Sequence, residues 1–246
     1  MAEDEQLKMR FAELAERSEK SGAYTETKFL NTSEQSVLQT LRLPVPFAFF
    51  GGFDGAERRI AVFGSEESAG YKYEPPIVCI RIAPANARFA DELTHRDFLG
   101  SLMALGVTRE MLGDIIVADN CGYLFCLETI SEYVISSLTE VKHTTVRPSL
   151  CDAPPASANE GEERSLTVAS ERLDALVAAV YRLPREDAKA LCEKGLVFVN
   201  SRLALKGGAE IPENAIVSVR GRGRFRYMGR DRTTKKGRLR VLVRVW

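Results

Sequence analysis

Histidine and cysteine, which supply most metal ligands and many nucleophiles, are scarce in this chain of 246 residues, with two and five copies. The cysteines (Cys79, Cys121, Cys126, Cys151 and Cys192) are odd in number and form no C-x-x-C pair, which argues against a disulfide framework or a zinc knuckle. We expect reduced, mostly buried thiols. The phosphate-binding patterns G-x-G-x-x-G and G-x-x-x-x-G-K-[ST] are also missing. We therefore expect no cofactor, no metal ion and no small-molecule substrate.

Long apolar runs are missing as well. No run approaches the roughly 20 residues that span a bilayer, and no basic segment followed by an apolar one opens the chain. Hydrophobic residues make up 45% and charged residues 28% of the sequence, which suits a packed core and excludes global disorder. We expect a cytoplasmic protein without membrane insertion.

The charge is balanced in total but not along the chain. Lys and Arg number 34, as do Asp and Glu. From Ser165 onward there are 18 basic and 8 acidic residues, whereas the first 164 residues hold 16 basic and 26 acidic ones. Such asymmetry indicates a nucleic-acid or membrane partner for the basic end of the chain.

The order of helical and strand patterns predicts an α+β protein in four segments. Residues 1–75 form a mixed region with helices at 1–20 and 32–42 and strands at 47–50 and 60–63. Residues 76–149 follow the order β-α-β-β-α-β of a ferredoxin-like, RNA-recognition-like domain. Residues 150–164 are typical of a linker, with Pro154-Pro155 and little apolar content. Residues 165–246 form a small α+β domain with a basic extension.

In the middle segment we expect strands at 77–82, 114–118, 123–127 and 144–146 and helices at 95–105 and 130–141. Tyr123 and Phe125 lie two residues apart on one face of a strand. They either stack on RNA bases or pack in the core, and core packing is the more common arrangement. Arg96 and Arg109 flank the first helix and are candidates for phosphate contacts, with a surface salt bridge as the alternative.

The C-terminal segment has helical patterns at 171–180 and 184–195, strands at 196–199 and 216–219, and an arginine-rich run. The run over 219–230 is V-R-G-R-G-R-F-R-Y-M-G-R. If it is extended, Arg220, Arg222, Arg224 and Arg226 point to one side about 6.6 Å apart, which suits successive phosphates. Phe225 and Tyr227 are available for packing or stacking. A charged, solvated edge strand is the alternative, but 11 basic residues against one acid from Ser218 onward favour RNA.

Several short motifs of this segment resemble the RNA-binding domain named after ribosomal protein S-four. They are Arg172-Leu173-Asp174, Pro184-Arg185-x-x-Ala188, Leu191, the run from Gly195 to Asn200, and Ile216-Val-Ser-Val-Arg220-Gly-Arg-Gly. The usual Gly-Asp before the late strand is replaced by Asn214-Ala215. In that family two helices and a loop, the αL motif, grip structured RNA. The resemblance implies that the RNA-binding residues include Arg172, Arg182, Arg185, Lys189 and Lys194, with Asn200 shaping a turn.

Two further motifs extend the resemblance to nearly the whole chain, which is similar to the bacterial YlmH family. The motifs are Phe50-Gly51-Gly52-Phe53-x-x-Ala56-Glu57-Arg58-Arg59 and the run from His95-Arg96 through Gly106-Val107-x-Arg109 to Gly113-Asp114-Ile115. The family implies binding to the large ribosomal subunit, through its rRNA and peptidyl-tRNA, in rescue or quality control of stalled translation. It is also linked to the bacterial division gene cluster, which implies a division-complex protein as a further partner.

No residue of the sequence is assigned a catalytic role. Arg172-Leu173-Asp174 is also found in the catalytic loop of pseudouridine synthases, but here it begins an apolar-striped helix. His95 would need a second convergent group to act as a base or a ligand, and the other histidine is His143. The sequence therefore predicts a non-enzymatic RNA-binding protein; the alternatives are an RNA-modifying enzyme and a cell-division scaffold.

Overall fold

The computed structural model of the chain describes residues 2–155, 161–233 and 237–246. Its helices and sheets form an α+β protein, as predicted. The chain divides into two units, Met1–Asn159 and Glu160–Trp246. The segment predicted as a linker, 150–164, contains the end of one strand at Cys151 and the start of another at Glu162, and its residues 156–160 lie outside the described residues. The division into four segments stays a prediction.

The elements of the first unit alternate between helices and short strands. Its helices are α1 (Ala2–Ser21), α2 (Thr32–Leu38), α3 (Glu66–Ala69), α4 (His95–Ala104) and α5 (Ser131–Ser137). Its strands are β1 (Thr25–Glu26), β2 (Phe47–Phe50), β3 (Ile60–Phe63), β4 (Ile77–Pro84), β5 (Leu112–Ala118), β6 (Cys121–Leu127), β7 (Glu140–Val141) and β8 (Thr144–Cys151).

Apolar residues spaced three and four apart place one side of α1 against a small sheet. Phe11 and Ala15 are buried with Phe63 of that sheet, whose strand order is β1-β3-β2. The strands predicted at 47–50 and 60–63 are confirmed. Helix α2 begins with a capping box formed by Asn31 and Glu34. It ends four residues before the predicted end, because the backbone turns at 40–41.

The second sheet of this unit has five antiparallel strands in the order β5-β6-β4-β8-β7. Helices α4 and α5 lie on one face, where Phe98 and Val134 pack with Leu124 of β6. The elements follow the order strand, helix, strand, strand, helix, strand, with β7 added before the last strand. The helix predicted over 130–141 was wrong in its second half, since α5 ends at Ser137 and 140–141 pair with β8.

The opposite face of this sheet is covered by residues from the first segment of the chain. Tyr123 and Phe125 are only 5% and 3% exposed and pack with Phe53, whose ring centroid lies 4.7 Å from that of Phe125. Gly52 has φ = +88°, and a Cβ there would lie 2.4 Å from Phe125 Cδ1, so this close approach requires glycine. The prediction that Tyr123 and Phe125 pack in the core is confirmed. The alternative, that they stack on RNA bases, is wrong because their rings are enclosed by protein.

Charged residues of the two YlmH-like motifs join β3 to β5. The Asp114 carboxylate accepts hydrogen bonds from the backbone N–H groups of Glu57 and Arg58, at 2.6 and 3.2 Å. The Arg58 guanidinium in turn donates to three backbone carbonyls, those of Phe29, Arg109 and Leu112, at 2.8 to 3.1 Å. Burial lowers the pKa of Arg58, and the nearby Asp114 carboxylate opposes that shift. Residues about 55 positions apart are thus held together by charge-assisted hydrogen bonds.

The second unit consists of two helices on one antiparallel sheet. The helices are α6 (Leu173–Tyr181) and α7 (Arg185–Glu193). The strands are β9 (Glu162–Val168), β10 (Val197–Val199), β11 (Arg202–Leu203), β12 (Ile216–Val219), β13 (Gly223–Thr233) and β14 (Leu239–Val245), arranged in the order β11-β10-β12-β13-β14-β9.

Alternation along β13 and β14 places apolar residues under the helices of the second unit. Phe225, Tyr227, Val241 and Val243 are fully buried in a core with Leu176 of α6. The residues between them, at 224, 226, 240, 242 and 244, are half-buried. This two-residue period is that of a strand with one face packed and one face open.

The contacts of Asp114 make a testable prediction about the stability of the first unit. We expect Asp114→Asn to lower the free energy of unfolding by about 1–3 kcal/mol, because an amide loses the charge and turns a donor toward backbone N–H groups. Urea denaturation followed by circular dichroism measures this. The control is Asp119→Asn, at an exposed turn residue with φ = +50° that Asn also tolerates. Equal stability of the two variants would contradict the proposed role of Asp114.

Candidate nucleic-acid interface

The start of α6 contains a buried carboxylate that binds two of the predicted RNA-binding arginines. The Asp174 side chain is 4% exposed. Arg185 donates from Nε to one of its oxygens and from Nη2 to the other, both at 3.1 Å, and Arg172 Nη2 lies 3.5 Å away. Both arginine side chains keep nearly half of their surface exposed. Asp174 therefore fixes the Arg185 guanidinium in a bidentate geometry and holds the Arg172 guanidinium through one longer contact, both at the protein surface.

A glycine-containing loop closes the N-terminal end of α6. The backbone N–H groups of Leu173 and Asp174 donate to the carbonyls of Ala209 and Gly207, at 2.9 and 2.8 Å. A Cβ on Gly208 would lie 2.6 Å from Arg172 Nη2, so the loop also bounds that guanidinium. These contacts fill N–H groups that a helix start would otherwise offer to an anion. The backbone N–H groups of Leu173 and Asp174 are therefore not available to an anion.

The other predicted αL residues lie at the ends of the two helices and on the exposed side of α7. Lys189 follows Arg185 by one helical turn, and its Nζ lies 3.5 Å from the exposed Glu193 carboxylate. Lys194 caps the C-terminus of α7 and is exposed. Arg182 caps α6 with φ = +53° and is also exposed. We call the surface formed by Arg172, Arg182, Arg185, Lys189 and Lys194 the helical surface.

Asn200 lies in the turn between β10 and β11. Asn200 and Ser201 have φ values of +48° and +64°, as a two-residue hairpin turn requires. The Asn200 side-chain oxygen accepts a hydrogen bond from the backbone N–H of Ile216, at 2.9 Å. Asn200 therefore ties the turn to the neighbouring strand β12, whereas its contact with RNA stays a prediction.

The arginine-rich run does not form the continuous ladder that the sequence predicted. Residues 220–222 form the turn between β12 and β13, so that Arg220 and Arg222 are not on a strand. Arg224 and Arg226 lie on β13 and share one face. The edge-strand alternative is also wrong, because β13 pairs with β12 on one side and β14 on the other. Edge protection therefore does not explain the arginines of β13.

The aromatics of this run belong to the core. Phe225 and Tyr227 are at most 1% exposed and cannot stack on a base. Phe225 packs edge-on against Tyr181 of α6, and the Tyr227 hydroxyl donates to the Glu171 carboxylate. Burial is the main cause that raises the pKa of Tyr227, and the Glu171 hydrogen bond adds to it.

The sheet face turned away from α6 and α7, here called the outer face, contains more basic residues than the sequence analysis identified. Arg232, Arg240, Arg244 and Trp246 were missed. The available signal was the alternation of L-R-V-L-V-R-V-W at 239–246, in which the arginines and the tryptophan fall on one face and the valines on the other. Arg220 adds to this face, since its guanidinium lies over Phe198, 5.4 Å from the ring centroid.

The predicted phosphate-binding residues of the first unit differ in their accessibility. Arg96 is exposed near the start of α4. Arg109 is half-buried and donates to the carbonyls of Leu112 and Gly113, at 3.1 and 3.0 Å. Burial, together with Arg58, lowers its pKa to about 10. Arg109 therefore supports the start of β5, and its contact with phosphate stays a prediction.

No constellation of residues that suggests catalysis was found in the described part of the chain. His95 has a lowered pKa because its ring is partly withdrawn from water and lies near the Arg109 cation. The five cysteines are free thiols, and burial raises the pKa of Cys126 to about 12 and that of Cys192 to about 11. Within residues 2–155, 161–233 and 237–246 no cluster of His, Cys, Asp or Glu could hold a metal ion. No helix in those ranges is long and apolar enough to cross a membrane.

The sequence of this chain is similar to those of known proteins. A family model described as "Putative RNA-binding domain in YlmH" matches residues 77–153. The "Ribosome-associated protein quality control protein P2" of Bacillus subtilis (strain 168) is 31% identical over 222 residues, which cover 87% of this chain and 84% of that protein. The solved structure "Cell division protein ylmH from Streptococcus pneumoniae" is 20% identical with a TM-score of 0.49, and the match covers 61% of this chain and 92% of that one. The identity and coverage shared with the B. subtilis protein show that this chain belongs to the YlmH family.

Proposed function

We propose that this chain is a non-enzymatic, cytoplasmic RNA-binding protein that docks on the rRNA of the large ribosomal subunit and contacts peptidyl-tRNA during rescue or quality control of stalled translation. The name of the B. subtilis relative and the RNA-binding description of the family model support this proposal. In it, the second unit is an S-four-type domain, and the five-stranded sheet with α4 and α5 is a ferredoxin-like domain.

The observation that carries the proposal is the fixed pair of guanidiniums on Asp174. Arg172 and Arg185 are held on a buried carboxylate yet remain half exposed. Because Asp174 holds both side chains in place in the absence of RNA, less side-chain entropy is lost on binding. A rigid pair of planar, permanent cations suits the phosphates of a folded RNA, which is recognised largely by shape.

The distribution of charge orients the docking. The region from Ser165 onward has ten more basic than acidic residues, and the first 164 residues have ten more acidic than basic ones. Phosphates attract the second unit and repel the first. Long-range attraction to RNA therefore acts mainly on the second unit. RNA contacts of the first unit, in which residues 77–153 match the RNA-binding family model, are made at short range.

Lys189 and Lys194 provide the direct test of the helical surface, because both are exposed and, within the part of the chain that the structure describes, their one ion pair is that of Lys189 with the exposed Glu193. We expect Lys189→Gln with Lys194→Gln to weaken binding to purified large subunits and to reduce the slope of log K against log salt by about one per lost phosphate contact. Co-sedimentation of the full chain at several salt concentrations measures both. The control with equal charge change is Arg10→Gln with Arg17→Gln, on exposed positions of α1. Equal salt slopes for the two double variants would refute the assignment.

Asp174 gives a second, independent prediction about positioning. We expect Asp174→Asn to weaken large-subunit binding even though it removes a negative charge, because Arg172 and Arg185 lose their fixed geometry. Loss of the charge-assisted hydrogen bonds costs about 1–3 kcal/mol of stability as well. The control is Asp187→Asn in the first turn of α7, which is exposed and should bind slightly tighter or unchanged. Tighter binding by Asp174→Asn at a temperature where it remains folded would show that only charge matters.

A further inference from the structure

The outer face of the second unit contains arginines placed directly opposite each other. In the register of β13 and β14, Arg226 faces Arg244 and Arg232 faces Arg240. Like charges at directly opposed positions destabilise an antiparallel pair. Acidic neighbours offset this in part, since Glu163 lies 3.5 Å from Arg244 and Asp231 lies 3.8 Å from Arg232. A sheet with two such opposed pairs is suited to an anionic ligand that lies across both strands.

A single aromatic ring lies among these arginines. The indole of Trp246 is approached by the guanidiniums of Arg224 and Arg226, whose central carbons lie 5.3 and 5.8 Å from the ring centroid. The Trp246 backbone N–H donates to the carbonyl of Arg224 at 3.1 Å, which fixes the residue beside β13. The ring is half-buried, so part of its surface remains accessible. An aromatic surface bordered by cations is the combination that binds unpaired nucleotides.

The outer face and the helical surface lie on opposite sides of one sheet. Phe225 and Tyr227 point under α6 and α7, and the arginines at 224 and 226 alternate with them. A ligand on the outer face is therefore separated from the helices by the thickness of the sheet and its core. Two RNA segments can occupy the second unit at the same time.

We propose that the outer face is a second RNA site, which binds an unpaired, single-stranded segment by stacking a base on Trp246 and placing phosphates on Arg224, Arg226, Arg232, Arg240 and Arg244. The proposal rests on the proposed function in that both require RNA as the partner. The second site differs from the helical surface in the class of RNA that it binds, which is single-stranded, and in the face of the sheet on which it lies. An acidic peptide would satisfy the arginines but would leave the indole without a stacking partner.

Trp246 is the one tryptophan of the chain, so intrinsic fluorescence reports directly on this site. We expect a ten-nucleotide oligouridylate to quench the emission of the full-length protein saturably. A self-complementary RNA duplex of ten base pairs and polyglutamate of similar charge should quench weakly. The affinity of the Trp246 variants is measured by the fluorescence anisotropy of a labelled oligouridylate. We expect Trp246→Ala to bind it about tenfold more weakly and Trp246→Phe to retain most of the affinity. Quenching of equal strength by polyglutamate, or equal affinity of the Ala and Phe variants, would overturn the stacking site.

Arg226→Gln with Arg240→Gln removes one member of each opposed pair and separates binding from folding. We expect the salt slope for the labelled oligouridylate to fall by about 1.4, at roughly 0.7 per contact on single strands. We also expect a melting temperature close to that of the unchanged protein, because the relieved repulsion offsets the loss of the Arg240–Ser165 hydrogen bond and of the Arg226–Trp246 contact. An unchanged salt slope would overturn the proposal.

The lysine variants distinguish this proposal from the proposed function. The double variant Lys189→Gln with Lys194→Gln tests large-subunit binding through the helical surface. If this variant loses oligouridylate affinity by the same factor as it loses subunit affinity, the oligouridylate binds the helical surface and the second site is overturned. If subunit binding is unaffected while Trp246→Ala loses the oligouridylate, the second site stands and the helical surface fails.

Discussion

Side-chain alternation along β13 and β14 is the constraint on which the second unit depends. A residue that packs under α6 or α7 requires its chain neighbours to point the other way, so Phe225 and Tyr227 determine where Arg224 and Arg226 lie. The pairing shifts register twice, between Tyr227 and Gly229 and between Arg230 and Arg232. The first extra residue interrupts the alternation, and the second restores it, so that Arg232 lies opposite Arg240. The apolar core and the basic outer face are therefore products of one pattern, and a register slip would destroy both.

Arginine has three different roles in this chain, and the residue type alone does not distinguish them. Arg58 and Arg109 turn inward and bind backbone carbonyls. Arg172 and Arg185 stand on a buried carboxylate with their outer surface exposed. Arg226 lies on an open sheet face beside an indole. The three roles differ in the group that each guanidinium contacts, which is a backbone carbonyl, a buried carboxylate or an aromatic ring.

Local patterns predicted the elements better than they predicted the partners of side chains. Strands at 47–50, 60–63 and 216–219 follow directly from short β-branched and aromatic runs. Helix α5 is shorter than its pattern because 140–141 find a strand partner in β8, which periodicity cannot reveal. The arginine ladder depended on an extended run over 220–226, but Gly221, with φ = +76°, allows the hairpin turn before β13. The burial of Tyr123 and Phe125 on β6 could not be predicted from local patterns, because Phe53, which packs against them, lies about 70 residues earlier in the chain.

The covered sheet face of the first unit has a consequence for how such a protein can be divided in evolution or in the laboratory. A fragment starting near β4 would expose Phe125 and the other residues that Phe53 covers, and it would lose the Arg58 and Asp114 contacts as well. An exposed apolar patch of that kind favours association with other chains. The first 75 residues therefore belong to the same unit as the sheet and cannot be removed without uncovering one of its faces.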